Sequence, residues 1–273
     1  EGNDWQRSLC AYTMNAFTQN ECIIDGKVSN RGKWLLRMVK DEVRAILSDR
    51  YKPIDTLPLF THFGNAAAQR GAVLYDGHCG ELTSFLEVVI PEVHRIETPN
   101  NGVIHKAFGA HIRNSDFGCS AVEIRLFSLQ GMCANGQIGK QQMRNVHLGR
   151  RLESDKMEFS AKTYELDAQT IMSASYDTIN AILSPEFIQQ EKDSIMRLSA
   201  KEVDMNKEIE ELPKIGLSET EIEMVKQLLM TSDPNDGVVG KPTKLKLQCA
   251  ITATARIAEP LRMRELQEVA GAM

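Results

Sequence analysis

Six cysteines and six histidines carry most of the chemistry this sequence could offer, and their spacing builds no reaction centre that can be read locally. None of His62, His78, His94, His105, His111 and His147 forms an HxxxH or HExxH pair, so the chain carries no local zinc signature. Cys10, Cys22, Cys79, Cys119, Cys133 and Cys249 are scattered without a CxxC pair. In a chain of 273 residues that pattern reads as buried free thiols in a reducing compartment, not as a disulfide framework. Gly64-Asn65-Ala66-Ala67-Ala68 lacks the lysine and glycines of a phosphate loop, and there is no GxSxG elbow. Cys133 with His147 is the one nucleophile–base pairing worth naming. A Cys–His enzyme needs its thiolate exposed beside the imidazole. Cys133 instead follows Leu129-Gln130-Gly131-Met132, where a packed strand cysteine is the simpler reading. The residues call for no metal and no cofactor.

The cationic clusters say more. Residues 31–52 hold Arg31, Lys33, Arg37, Lys40, Arg44, Arg50 and Lys52 against three acids. Residues 105–151 hold Lys106, Arg113, Arg125, Lys140, Arg144, Arg150 and Arg151 against two. Guanidinium forks suit phosphate oxygens, and Tyr51 or Phe117 could stack on a base. A solvated charged face competes with that reading and is preferred for 31–44. The net charge of −5 divides unevenly along the chain. Residues 1–151 carry 18 Lys and Arg against 15 acids, and residues 152–273 carry 14 against 22. Such a chain does not coat DNA uniformly, but it can present a local cationic surface to a polyanion.

The elements that must position these residues follow from periodicity. Leu35, Val39, Val43 and Leu47 recur every four residues, with Leu36 and Ile46 alongside, which predicts a helix over 33–47 that Pro53 terminates. A short helix is expected over 57–71, ending at Gly71. Residues 72–76, 82–90, 103–113 and 121–134 are rich in Val, Ile, Leu and Phe and are separated by turn formers, which predicts strands. Pro99-Asn100-Asn101-Gly102 reads as a hairpin loop, and Asn114-Ser115-Asp116-Phe117-Gly118 as another turn. Beyond Arg151 strand signals nearly vanish. Residues 166–183 suit a helix with Ile171, Ala174, Ile179 and Ile182 inward. Ser184-Pro185-Glu186 opens the next one, with a capping serine, an early proline and an acid at the positive end. Ser218 and Glu221 have capping-box spacing, and final helices are expected near 243–258 and 260–270. The class is α+β: an antiparallel sheet over about 72–134, then a mainly helical half. A sheet-containing region, 1–151, and a helical region, 152–273, are expected to pack as one unit. No apolar run approaches the ~20 residues a membrane helix needs, and the start reads as no secretory signal.

Four short strings resemble a family of phage and plasmid proteins catalogued as domain of unknown function nine-three-two. They are Leu47-Ser48-Asp49-Arg50-Tyr51-Lys52-Pro53-Ile54-Asp55, Ile112 to Gly118, Met132-Cys133-Ala134-Asn135-Gly136, and Arg144-Asn145-Val146-His147-Leu148-Gly149-Arg150. They occur in that family's order and spacing, over about 33–260; near Cys249 the chain departs from its usual "NAxT". Asn135-Gly136 suits a sharp turn, as do Asn114, Ser115 and Asp116 with Gly118. The resemblance implies a gene carried on a mobile element, in the cytoplasm of a bacterial host.

The leading expectation is a non-enzymatic, homo-oligomeric protein binding single-stranded nucleic acid, of the strand-annealing kind. Arg50, Lys52, Arg113, Arg144, His147, Arg150 and Arg151 would meet phosphates, and Tyr51 would stack. The alternatives are an enzyme using Cys133 and His147, and a structural or host-interaction protein docking through its acidic half.

Overall fold

A computed structural model describes residues 22–24, 27–29, 34–39, 42–48, 54–80, 82–131, 135–145, 161–230 and 239–273. Four strands come first: β1 (Cys22–Ile24), β2 (Lys27–Ser29), β3 (Trp34–Val39) and β4 (Glu42–Ser48). The predicted helix over 33–47 is therefore an antiparallel hairpin, with Leu35 opposite Leu47 and Leu36 opposite Ile46. A spacing of four is also a multiple of two, so the same stripe marks one face of a strand. Val39, Val43 and Ile46 are β-branched, which tips the balance towards extended chain.

Helix α1 (Thr56–Gln69) follows and buries Leu59, Phe63, Ala66 and Ala67. The main sheet contains β5 (Val73–Cys79), β6 (Ser84–Val89), β7 (His94–Thr98), β8 (Gly102–Asn114), β9 (Val122–Gln130) and β10 (Asn135–Asn145). Its order is β10-β9-β8-β6-β5, all antiparallel, with β7 paired to the first half of β8. The thirteen residues of β8 make it the spine: its first half pairs with β7, its second with β6. The sheet lies where the strand-and-turn spacing puts it. Two of its strands differ from expectation. β7 fills a stretch left unassigned. The expected strand over 121–134 stops at Gln130, and Asn135-Gly136 opens β10 instead of turning the chain.

The helices are α2 (Ala161–Ile182), α3 (Pro185–Ala200), α4 (Met205–Glu211), α5 (Glu219–Met230), α6 (Lys244–Ala255) and α7 (Pro260–Ala272). On α2 the buried set is Ile171, Ser175, Ile179 and Ile182, and Ala174 faces out. That is the true helical stripe, one residue off the expected one. Ser184 caps α3 by accepting from the Phe187 amide. The capping box at α5 also forms: the Ser218 amide donates to Glu221 at 2.8 Å, and the Glu221 amide to the Ser218 hydroxyl at 3.4 Å. Arg262 binds the same Glu221 carboxylate and drives its pKa down to about 2, which ties α7 to α5.

Because side chains alternate along a strand, the register sorts the sheet into two faces. Val88, Phe108, Ala110, Ile112, Val122, Ile124 and Leu126 share one. They form a core with Leu59 and Phe63 of α1, Ile171, Ile179 and Ile182 of α2, Ile188 and Ile195 of α3, and Leu245 and Cys249 of α6. Each fully buried Val, Leu, Ile or Phe side chain among them stabilises the fold by about 1.5–3 kcal/mol relative to exposure. A second cluster joins α5, α6 and α7 through Val225, Leu247, Ile251 and Leu266.

The hairpin tip between β7 and β8 locks the helical layer in place. Asn101 is buried, and its amide donates to the carbonyls of Val239 and Lys241. Its carbonyl oxygen accepts from the hydroxyls of Ser199 and Thr243, each at 2.7 Å. All four hydrogen-bonding positions of that side chain are filled.

Candidate functional site

Among the sequence-selected residues, Arg50, Tyr51, Lys52, Cys133, His147, Arg150 and Arg151 lie outside the described residues, so the Cys133–His147 pairing does too. Asn135 is described by its backbone alone, and Gly136 sits in β10 opposite Leu129. Arg113, Arg144, Asn114, Ser115, Asp116 and Gly118 can be placed fully.

The turn after β8 is built from its own polar side chains. The Ser115 hydroxyl accepts from the amides of Phe117 and Cys119 and donates to the Leu82 carbonyl. Gly118 closes the turn at φ +80°, in the left-handed region glycine tolerates. Asn114 is buried and donates to the Ile54 carbonyl and the Thr56 hydroxyl, both at 2.9 Å. Asp116 accepts from the Thr56 amide and hydroxyl, both at 2.8 Å. Asp55, at the N-cap of α1, makes no side-chain cap bond, so Asp116 caps that helix from across the fold. Arg37 completes the joint by bonding the Asp116 carbonyl and the Asp55 carboxylate. Two of the four family-like strings thus meet, and the polar groups between them serve each other.

The second face of the sheet is charged. Arg113 and Arg125 both hold Glu123 at 2.9 Å, and Arg144 reaches it at 3.5 Å. Glu268 of α7 binds Arg113 at 3.0 Å and Arg125 at 3.3 Å. Burial would raise the Glu123 carboxyl, but the Arg125 hydrogen bond and the charges of Arg113, Arg125 and Arg144 outweigh it and hold it below the usual carboxylate range. Arg113 and Arg125 are therefore committed to carboxylates. Arg144 is different: its side chain is 57% exposed, and its terminal nitrogens have no partner among the described residues.

Further along the same face, Arg264 of α7 bonds Glu87 at 2.5 Å and also Asp76. Glu87 has no exposed surface and faces the His111 ring nitrogen at 3.1 Å. The Arg264 guanidinium sits 4.3 Å over the Phe85 ring, which stacks on His111 and His78. This network pins α7 across three strands, β5, β6 and β8. Its members carry no motif spacing; Arg264 and Glu87 are 177 residues apart.

Where the apolar face runs out, Lys106, Ser128 and Gln137 line a cavity with α3, α6 and the end of α7. The Lys106 nitrogen donates to Gln137 at 2.6 Å and to Ser128 at 3.5 Å. Alternation marks Lys106 as inward, two residues before Phe108, which is the one signal its sequence position gives.

Among the described residues, no group of His, Cys, Asp and Glu could hold a metal ion, and no helix is long and apolar enough to cross a membrane. No family model, curated protein or solved structure matches the chain, and the family resemblance rests on its four strings alone.

Proposed function

We propose that the chain binds single-stranded nucleic acid without catalysis, as a homo-oligomeric accessory of recombination or replication on a mobile element in a bacterial cytoplasm. The observation that carries this reading is Arg144. It stands near the end of the edge strand β10, exposed, in a row where three guanidinium groups share two carboxylates. That leaves the row with an excess positive charge, and His147, Arg150 and Arg151 follow Arg144 in the sequence. Arg113 and Arg125 hold Glu123 in place, and phosphate contact falls to Arg144 and the cations that follow it.

Titration of a labelled single-stranded oligonucleotide at several salt concentrations tests the reading. Counterion release gives a slope of about −0.7 per phosphate contact on single strands. Changing Arg144, Arg150 and Arg151 together to alanine should weaken binding and flatten that slope by about 2. Arg144→Ala by itself should barely move the melting temperature, since a mostly exposed side chain is worth about 0.5 kcal/mol or less. Absence of binding by the unmodified protein, even at low salt, overturns the reading.

A further inference from the structure

Along the inward side of β8, Lys106 interrupts an apolar row made by Ile104, Phe108, Ala110 and Ile112. It is as buried as its neighbours, at 2% exposure. Burying an amine there costs desolvation that an aliphatic side chain of similar length would not. Two acceptors meet its nitrogen: the Gln137 carboxamide oxygen at 2.6 Å and the Ser128 hydroxyl at 3.5 Å. An ammonium group has three N–H donors to place. A free amine has two, and keeps a lone pair. The partners of Lys106 therefore suit the free amine.

The charged surroundings agree with that count. Burial lowers the Lys106 pKa and prevails over Cys249 and Glu191, which act to raise it. Cys249 of α6 brings no charge near neutrality, because burial pushes its thiol up to about 11. Glu191 and Arg197 stand on the α3 wall of the same cavity. Gln137 and Ser128 line that cavity beside Lys106, so the nitrogen they hold lies at its wall. The space measures about 280 Å³. Phe108, Leu126 and Leu198 make part of its lining apolar, and Ser194 and Gln248 add polar groups. A desolvated lysine amine beside an enclosed space is a nucleophile for carbonyl carbon.

We propose that Lys106 captures a small ketone or aldehyde in this cavity as an imine. The nitrogen lone pair adds to the carbonyl carbon, and the C=O π pair moves onto oxygen. That oxygen takes the two amine protons and leaves as water, while a C=N double bond replaces C=O. No oxidant or reductant is required. The apolar lining receives the alkyl substituents of the carbonyl compound. The volume falls just below the 300–1,000 Å³ range of most ligand pockets, which limits the occupant to a few heavy atoms. This capture is independent of the nucleic-acid reading and needs none of its cations.

Acetylacetone tests the proposal on the full chain. With a free amine this 1,3-diketone gives water and an enaminone, which absorbs in the near ultraviolet and survives digestion. Near neutral pH, peptide mass spectrometry should find the adduct on Lys106 ahead of every other lysine, because exposed lysines remain protonated there. Acetone followed by borohydride should leave an isopropyl group on the same nitrogen. Ser194→Phe, at a partly exposed position of the cavity wall, should suppress labelling of Lys106 and spare surface lysines. Lys106→Met should lose the near-ultraviolet band; if that variant does not fold, the position of the adduct in the unmodified chain decides. The proposal is overturned if Lys106 stays unlabelled, if surface lysines react first, or if Ser194→Phe labels Lys106 as fast as the parent.

Discussion

On one face of the main sheet, Val88, Ala110, Ile112, Val122 and Ile124 meet aliphatic and aromatic side chains from four helices. On the other, Glu87, His111, Arg113, Glu123 and Arg125 meet Arg264 and Glu268 of a single helix. The first is buried and the second largely covered, and they hold their helices in different ways. Apolar contact is non-directional and tolerates small shifts, whereas each ion pair here fixes an angle and a distance. The first face supplies cohesion. The second sets where α7 lies, and α7 in turn contributes Gly271 to the wall of the Lys106 cavity, close against the Ile138 carbonyl where a side chain would not fit.

The contrast can be broken most sharply at Arg264. Arg264→Met leaves Glu87 buried without its cation and should cost about 3–5 kcal/mol in urea unfolding. Pairing it with Glu87→Leu should restore much of that, because both charges then leave together. If the double variant is no better than the single one, ionic pairing is not what fastens α7.

Next in size is Glu123→Gln, expected to cost about 1.5–3 kcal/mol at neutral pH through its charged hydrogen bonds. The folded pKa of Glu123 is depressed, so its contribution is present above the unfolded carboxylate value and is lost as pH falls through the folded value. Parent and variant should therefore converge in stability under acid. Denaturation curves that stay separated at low pH would show that packing, not charge, is at stake.

The smallest effect belongs to the apolar face. Ile112→Val removes one methylene from a fully buried position and should cost about 0.5–1.5 kcal/mol, with no dependence on acid. An acid-dependent loss there would mean that the two faces are energetically coupled.

How much of this was legible depended on whether a signal was local. The cap at Ser184, the capping box at Ser218 and the β-branched runs of β6, β8 and β9 announce themselves within a few residues. The β3–β4 hairpin misreads as a helix because its period of four satisfies both geometries. β10 escapes because Asn135-Gly136-Gln137-Ile138-Gly139 has little strand propensity of its own. Pairing with β9 makes it extended, which is a property of the neighbour. The candidate site was less legible still. Arg113 and Arg144 look alike in sequence, and only the position of Glu268, 155 residues after Arg113, separates a committed guanidinium from an available one. Lys106 becomes conspicuous only when the helices that enclose it are in place.

The Asp116 cap on α1 carries a consequence for the order of events as the chain folds. A helix of 14 residues is marginal in water by itself, and this one lacks a local cap bond. The carboxylate that completes its first turn arrives from 60 residues downstream, on the turn that joins β8 to β9. α1 can flicker early, but it is finished only after that turn has closed and swung onto it. Closing so long a loop draws on chain entropy before any contact repays it, and slows the step accordingly. The first helix among the described residues thus waits for its cap on a turn 60 residues downstream.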